Sequence, residues 1–172
     1  MSLVEGFMIP KERRRWLYER LRRPLPDSVF GLSMQGRRVL IAQDKVSEMA
    51  RGNLILKPQQ AVERQQREAG SGWIIAVGPL VGSPCPGAPA GAVECEHPAD
   101  LIGAHVYYRM WSGSTGMILR VDDEDDEFTS SKLHITIMTD RDLQAVDQGP
   151  DTIELTDEEK AAIDKAAEEQ GL

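Results

Sequence analysis

The chain offers little to sulfur chemistry, to membranes or to catalysis. It has two cysteines, Cys85 and Cys95, set ten residues apart among prolines and glycines. A structural zinc needs four ligands, and no second Cys or His pair is nearby. The spacing leaves a cross-hairpin disulfide open, which a reducing cytosol disfavours. No apolar run approaches the ~20 residues that cross a bilayer. The first residues lack the charged, apolar, small-residue order of a secretory signal, so a cytoplasmic protein with no membrane association is expected. The three histidines, His97, His105 and His134, are scattered over different elements, and none has a Ser or Cys beside it in a nucleophile setting. The Gly-Ser-Gly at 70–72 runs into a strand, whereas a phosphate loop must open a helix. The acidic run 122–127 is too dense for an acid/base pair and lacks the order of a calcium loop. No catalytic residue, metal site or cofactor site emerges, and a non-enzymatic role is expected.

What is present is a chain of 172 residues, enough for one sizeable domain with decorations. Its net charge of −8 is unevenly spread. Residues 1–38 carry nine Lys and Arg against four Asp and Glu, and residues 147–172 carry two against nine. The acidic balance argues against a general nucleic-acid binder.

Taken in order, residues 1–9 read as a loose lead. Pro10 suits a first helical turn, and residues 11–23 read as a basic helix stopped by Pro24 and Pro26. Its cations make it a candidate for an acidic partner. The plainer reading, which we favour, is a surface helix that packs Trp16, Leu17 and Leu21 on a neighbouring element. From Arg38 the pattern is β, with strands expected at 38–42, 73–78, 106–108, 117–121 and 133–138, and a short strand or turn at 143–146. Residues 79–98 are an irregular excursion rich in proline and glycine. Thr156 with Glu159 forms a capping box for a helix over 157–169, and Gly171 ends it. That helix has a mostly alanine face with only Ile163 of any size, so a loosely attached tail is expected. The pattern predicts a mainly β fold, a small barrel with an N-terminal helical extension and a C-terminal acidic helical tail.

One stretch fits no core layer. Leu54-Ile55-Leu56 is an apolar triplet closed by Gly52-Asn53 on one side and Pro58 on the other, and the residues from 59 to 68 are almost all polar. Such a triplet either folds back on the domain or waits for the groove of another protein.

Five stretches together resemble one family. Arg38-Val39-Leu40-Ile41 resembles the first R-V-L-V strand of the GroES-type co-chaperonins, and Gly52-Asn53-Leu54-Ile55-Leu56 resembles the G-G-I-V-L of their mobile loop. Gly72-Trp73-Ile74-Ile75-Ala76-Val77-Gly78 is similar to the G-x-V-x-A-V-G that follows the loop. Leu101 to Tyr108 resembles V-K-V-G-D-x-V-x-F/Y, and Asp140 to Val146 is similar to the closing E-S-D-I-L-A-V. The order holds over residues 38–146, and phage-encoded relatives are a looser match. The chain departs from the family in its long head, in the rewritten 79–98 where a roof hairpin is expected, in the acidic run before the last strand, and at Asn53, which stands for the second loop glycine.

The resemblance implies a GroES-like β-barrel over 38–147, with a mobile loop at about 46–72 and a roof-like excursion at 79–98, flanked by the 1–37 extension and the 148–172 tail. It implies a homo-oligomer, a seven-membered ring, that caps a GroEL-type chaperonin in the cytoplasm of a bacterium or of a phage host. In that reading ATP is bound by the partner, and Gly52, Asn53, Leu54, Ile55 and Leu56 are the chaperonin-binding residues. The competing reading is a structural or scaffold ring of a phage, with the triplet packed on a neighbouring subunit.

Overall fold

The structure is a computed structural model that describes residues 6–44, 49–50, 55–56, 70–83, 97–108, 117–121, 133–147, 149–150 and 152–172. Its framework is an antiparallel sheet organised on two strands, β2 (Arg38–Gln43) and β5 (Ser71–Val77). Both are buried on both faces after their first residue. That burial is why they read as continuous apolar runs and not as alternation. The other strands are β1 (Phe7–Met8), β3 (Met49–Ala50), β4 (Ile55–Leu56), β6 (His105–Tyr108), β7 (Met117–Val121), β8 (Leu133–Thr139) and β9 (Leu143–Asp147). Pairing runs β7-β8-β2-β5-β6-β9. β1 joins at the C-terminal end of β5, with Phe7 opposite Val77, so β1 and β6 share one edge of that strand. Among the described residues β7 and β9 are the two ends of the sheet, and it does not close.

Two of the expectations for the head and tail of the chain are corrected. Residues 7 and 8 are not part of a loose lead; they form β1, and Ile9 donates its amide to the Ile75 carbonyl at 2.9 Å. Nor is the tail loosely attached. A 3₁₀ turn (Lys11–Arg13) leads into helix α1 (Arg14–Leu21), which ends with Arg22 in the left-handed region and the Arg23 amide on the Tyr18 carbonyl. Helix α2 (Asp157–Gln170) starts at the Thr156–Glu159 capping box, ends at Gly171, and lies against α1. Ile163 and Ala167 are buried, Arg15 pairs with Asp164 at 2.6 Å, and the Gln170 side chain meets the Tyr18 hydroxyl and the Leu25 carbonyl. A narrow alanine face suffices because polar contacts at the middle of the helix and at its C-terminal end hold it in register. The basic head thus finds acidic residues inside its own chain. Leu17 and Leu21 are fully buried and Trp16 partly so, the packing role expected of this helix.

At the start of β2 a buried network ties three segments together. The Asp140 carboxylate, fully buried, accepts from Arg37 and from the Gly82 amide.

Candidate functional site

The chaperonin-binding residues expected from sequence fall partly within the described structure. Ile55 and Leu56 form β4, which pairs antiparallel with β3: Ala50 faces Ile55 and Met49 faces Leu56. Gly52, Asn53 and Leu54, which connect the two strands, lie outside the described residues, as do Cys85, Cys95 and the acidic run 122–127. The β3–β4 hairpin pairs with no strand of the large sheet among the described residues.

A second constellation was invisible in the sequence, and strand register builds it. Cross-strand partners in an antiparallel sheet share a face. Trp73 lies opposite His105, and His105 opposite Asp147, so one row crosses β5, β6 and β9. The next row carries Ser71 and Tyr107. Asp44 follows the last residue of β2, and its amide bonds the Ser71 carbonyl at 3.1 Å, which puts its side chain beside both rows. The His105 imidazole is thereby held on two sides. Nε2 is 2.6 Å from Asp44 Oδ2, and Nδ1 is 2.9 Å from Asp147 Oδ1. The Ser71 hydroxyl donates to Asp44 at 2.7 Å, and the Gly149 amide donates to Asp147 at 2.8 Å. The imidazole also meets the Trp73 ring at a tilt, 4.8 Å between centroids, and the Tyr107 ring edge-on at 5.2 Å.

This geometry sets the protonation equilibria. The hydrogen bond that His105 makes to Asp44 is the largest influence on it and holds it above its ordinary value; burial opposes the shift, and Asp147 reinforces it. Partial burial pushes the Asp147 carboxyl up, but the Gly149 amide, His105 and Tyr107 together outweigh it and hold the group below the ordinary range. The Tyr107 phenol is raised by its hydrogen bond to Asp147.

Beside this cluster lies a cleft of about 520 Å³ between α1 and the ends of β6 and β9. Arg13 and Arg20 sit over the Trp16 ring at 4.7 and 4.0 Å from its centroid, and Trp16 meets Trp73 edge-on at 5.7 Å. Asp100 and Asp147 supply negative charge on the same walls. Gly149 closes over Trp73 with φ +70°, where a Cβ would collide with the indole. The chain therefore leaves the sheet across the tryptophan.

The Asp44–His105–Asp147 arrangement links the end of β2, the start of β6 and the end of β9. The imidazole lies between two carboxylates, and the Ser71 hydroxyl is spent on Asp44, whereas a nucleophile must bond to its base. The two carboxylates occupy opposite sides of the ring, and no cluster of three metal-binding side chains occurs among the described residues. His97 is used locally, its Nδ1 accepting the Ala99 amide in a capping box. The sequence signal for His105 was faint. It lies at the start of a strand between Ala104 and Val106, and its two partners stand 61 and 42 residues away, at the ends of other strands.

No described helix is long and apolar enough to cross a membrane. No protein-family profile matches this chain, and no curated protein matches it.

Proposed function

We propose that the chain is a subunit of a GroES-type co-chaperonin ring that caps a GroEL-type chaperonin in the cytoplasm, with ATP bound by the partner. The observation that carries this reading is the β3–β4 hairpin. Among the described residues it pairs with no strand of the large sheet, and Met49, Ile55 and Leu56 stand in its paired positions, with Gly52-Asn53-Leu54 between its strands in the sequence. The antiparallel sheet supports the same reading as the wall of a small GroES-like barrel, and β9 leaves Gln144, Ala145, Val146 and Asp147 exposed for contact with a second copy.

The energetics favour a ring. Burying each side chain of the triplet contributes on the order of 1.5–3 kcal/mol. Ordering a free loop costs about 1–2 kcal/mol for each residue fixed, and residues already paired in a hairpin avoid part of that cost. One loop still binds weakly. Several identical loops on one ring gain avidity of about 10²–10⁴ over a single site.

The test is paired. Leu54→Asp or Ile55→Asp places a carboxylate in an apolar groove, at a cost of several kcal/mol per site. Nucleotide-dependent association with a chaperonin should be lost, while native mass spectrometry still shows a ring, about 134 kDa for seven copies of the 19.1 kDa chain. Rings that collapse on substitution point instead to a scaffold that buries the triplet between subunits. Intact rings that still associate refute the assignment of these residues, and a monomer at micromolar concentration refutes the ring.

A further inference from the structure

Asp44 is the last described residue before the segment that carries the β3–β4 hairpin, and Asp147 ends β9 where the chain turns toward α2. The His105 side chain is bonded to both. We propose that Asp44, His105 and Asp147 form a proton-gated latch, in which the imidazolium clamps the root of the hairpin segment to the start of the C-terminal connection and its neutral form releases the Asp147 side.

Hydrogen-bond valence fixes the protonation state that both contacts need. Both carboxylates are acceptors, so both ring nitrogens must carry a proton for the two contacts to coexist, and only the imidazolium has two. The distances of 2.6 and 2.9 Å suit charge-assisted bonds. A neutral ring keeps one donor, and its other nitrogen turns a lone pair on a carboxylate oxygen. One contact must then open.

The surroundings decide which. Asp44 lies at the shorter distance, has the Ser71 hydroxyl on the same oxygen, and is tied by its own amide to the Ser71 carbonyl. Asp147 lies at the longer distance, is the more exposed carboxylate, and keeps the Gly149 amide and the Tyr107 hydroxyl as partners when it leaves. The neutral ring therefore retains its proton on Nε2 and lets Asp147 go. The other groups facing the ring do not replace the lost bond. Trp73 meets it with a tilted ring contact, and Tyr107 with an edge-on one. Arg20 of α1 places its guanidinium 6.0 Å from the Trp73 ring centroid. Arg13 and Asp100 line the same cleft as Asp147.

The pH window follows from the directions of the shifts. His105 is raised, so the latch is complete below the unfolded value of ~6.5 and is lost as pH rises through the higher folded value. Asp147 is lowered, so its contribution persists above the ordinary carboxylate value of ~3.9 and fails only as pH falls through the lower folded one. The latch needs no binding partner and stands apart from the co-chaperonin reading.

The test uses the free full-length protein. Ring-nitrogen NMR of His105 through the titration should show a midpoint above ~6.5 and the Nε2–H tautomer at high pH. Over the same step, amide-exchange protection of residues 145–149, corrected for intrinsic rates, should fall roughly tenfold to a hundredfold, the scale of losing one hydrogen bond to a charged group. Protection of residues 39–42 should stay constant. Asp147→Asn can accept from the imidazolium and donate to the neutral ring, so its protection should lose the pH step while the fold is kept. A midpoint at or below the ordinary histidine value, a retained Nδ1–H, constant protection at 145–149, or an undiminished step in Asp147→Asn would each overturn the latch.

Discussion

Replacing Asp140 with alanine is expected to cost about 3–4 kcal/mol of folding stability. The carboxylate is fully buried. Its Oδ1 accepts from Arg37 Nε at 3.0 Å, and its Oδ2 accepts from Arg37 Nη2 at 2.9 Å and from the Gly82 amide at 2.8 Å. Removing one partner of a buried ion pair costs ~3–5 kcal/mol. Arg37 keeps the Ser83 carbonyl at 2.8 Å, and its side chain is 21% exposed, which places the ion-pair loss at the low end. The Gly82 amide loses its acceptor, worth ~1–3 kcal/mol when buried. The two losses overlap because both relax as the 82–83 turn moves. With a urea slope of ~2 kcal/mol per molar, the unfolding midpoint should drop by about 1.5–2 M. Arg37→Met with Asp140→Leu should recover most of the ion-pair part, since apolar replacements of similar volume are often neutral or better. A loss below about 1 kcal/mol for Asp140→Ala, or a double variant as unstable as the sum of the singles, would refute this account.

Ile163→Ala removes the one large side chain that α2 buries and should cost about 2–3 kcal/mol, releasing the helix from α1; trypsin should then cut at Lys160 and Lys165 well before the sheet, and an unchanged cleavage rate would count against the docking. Burial holds the Tyr108 phenol above its ordinary ~10, so the stability of its neutral form is complete below that pH and is lost as pH climbs past it. Tyr108→Phe should blunt the alkaline unfolding transition, and a Tyr108 phenolate that forms in the folded protein near pH ~10 would contradict the burial argument.

The elements legible in the sequence are those whose cause is local. β2 and β5 announced themselves as β-branched runs, because strands covered on both faces have no reason to alternate. Helix α2 was bounded to within a residue, because Thr156, Glu159 and Gly171 act within a turn of their own positions. β1 escaped because two residues carry no period. The docking of α2 escaped because it rests on Arg15 with Asp164 and Tyr18 with Gln170, pairs separated by nearly the whole chain. The His105 cluster escaped for a related reason. Its members are made neighbours by strand register, and register depends on the bulges between Leu40 and Ile41 and between Tyr107 and Tyr108, which composition does not encode. Of the five residues assigned to chaperonin binding, Ile55 and Leu56 sit in a strand within the apolar stretch that singled them out, while the pairing with Met49 and Ala50 was not foreseen.

The contact between the two helices also has a history in time. Tyr18 and its partner Gln170 are 152 residues apart. At a synthesis rate of ~5–20 residues per second, roughly 8–30 s pass between the emergence of one and that of the other from a ribosome. Over that interval α1 has its arginines and the Leu17–Leu21 face, but not the acidic helix that lies on it in the finished fold. Helix α1 thus waits for a neighbour made 152 residues later. Anything acidic that meets it during synthesis competes with a contact that the later helix completes.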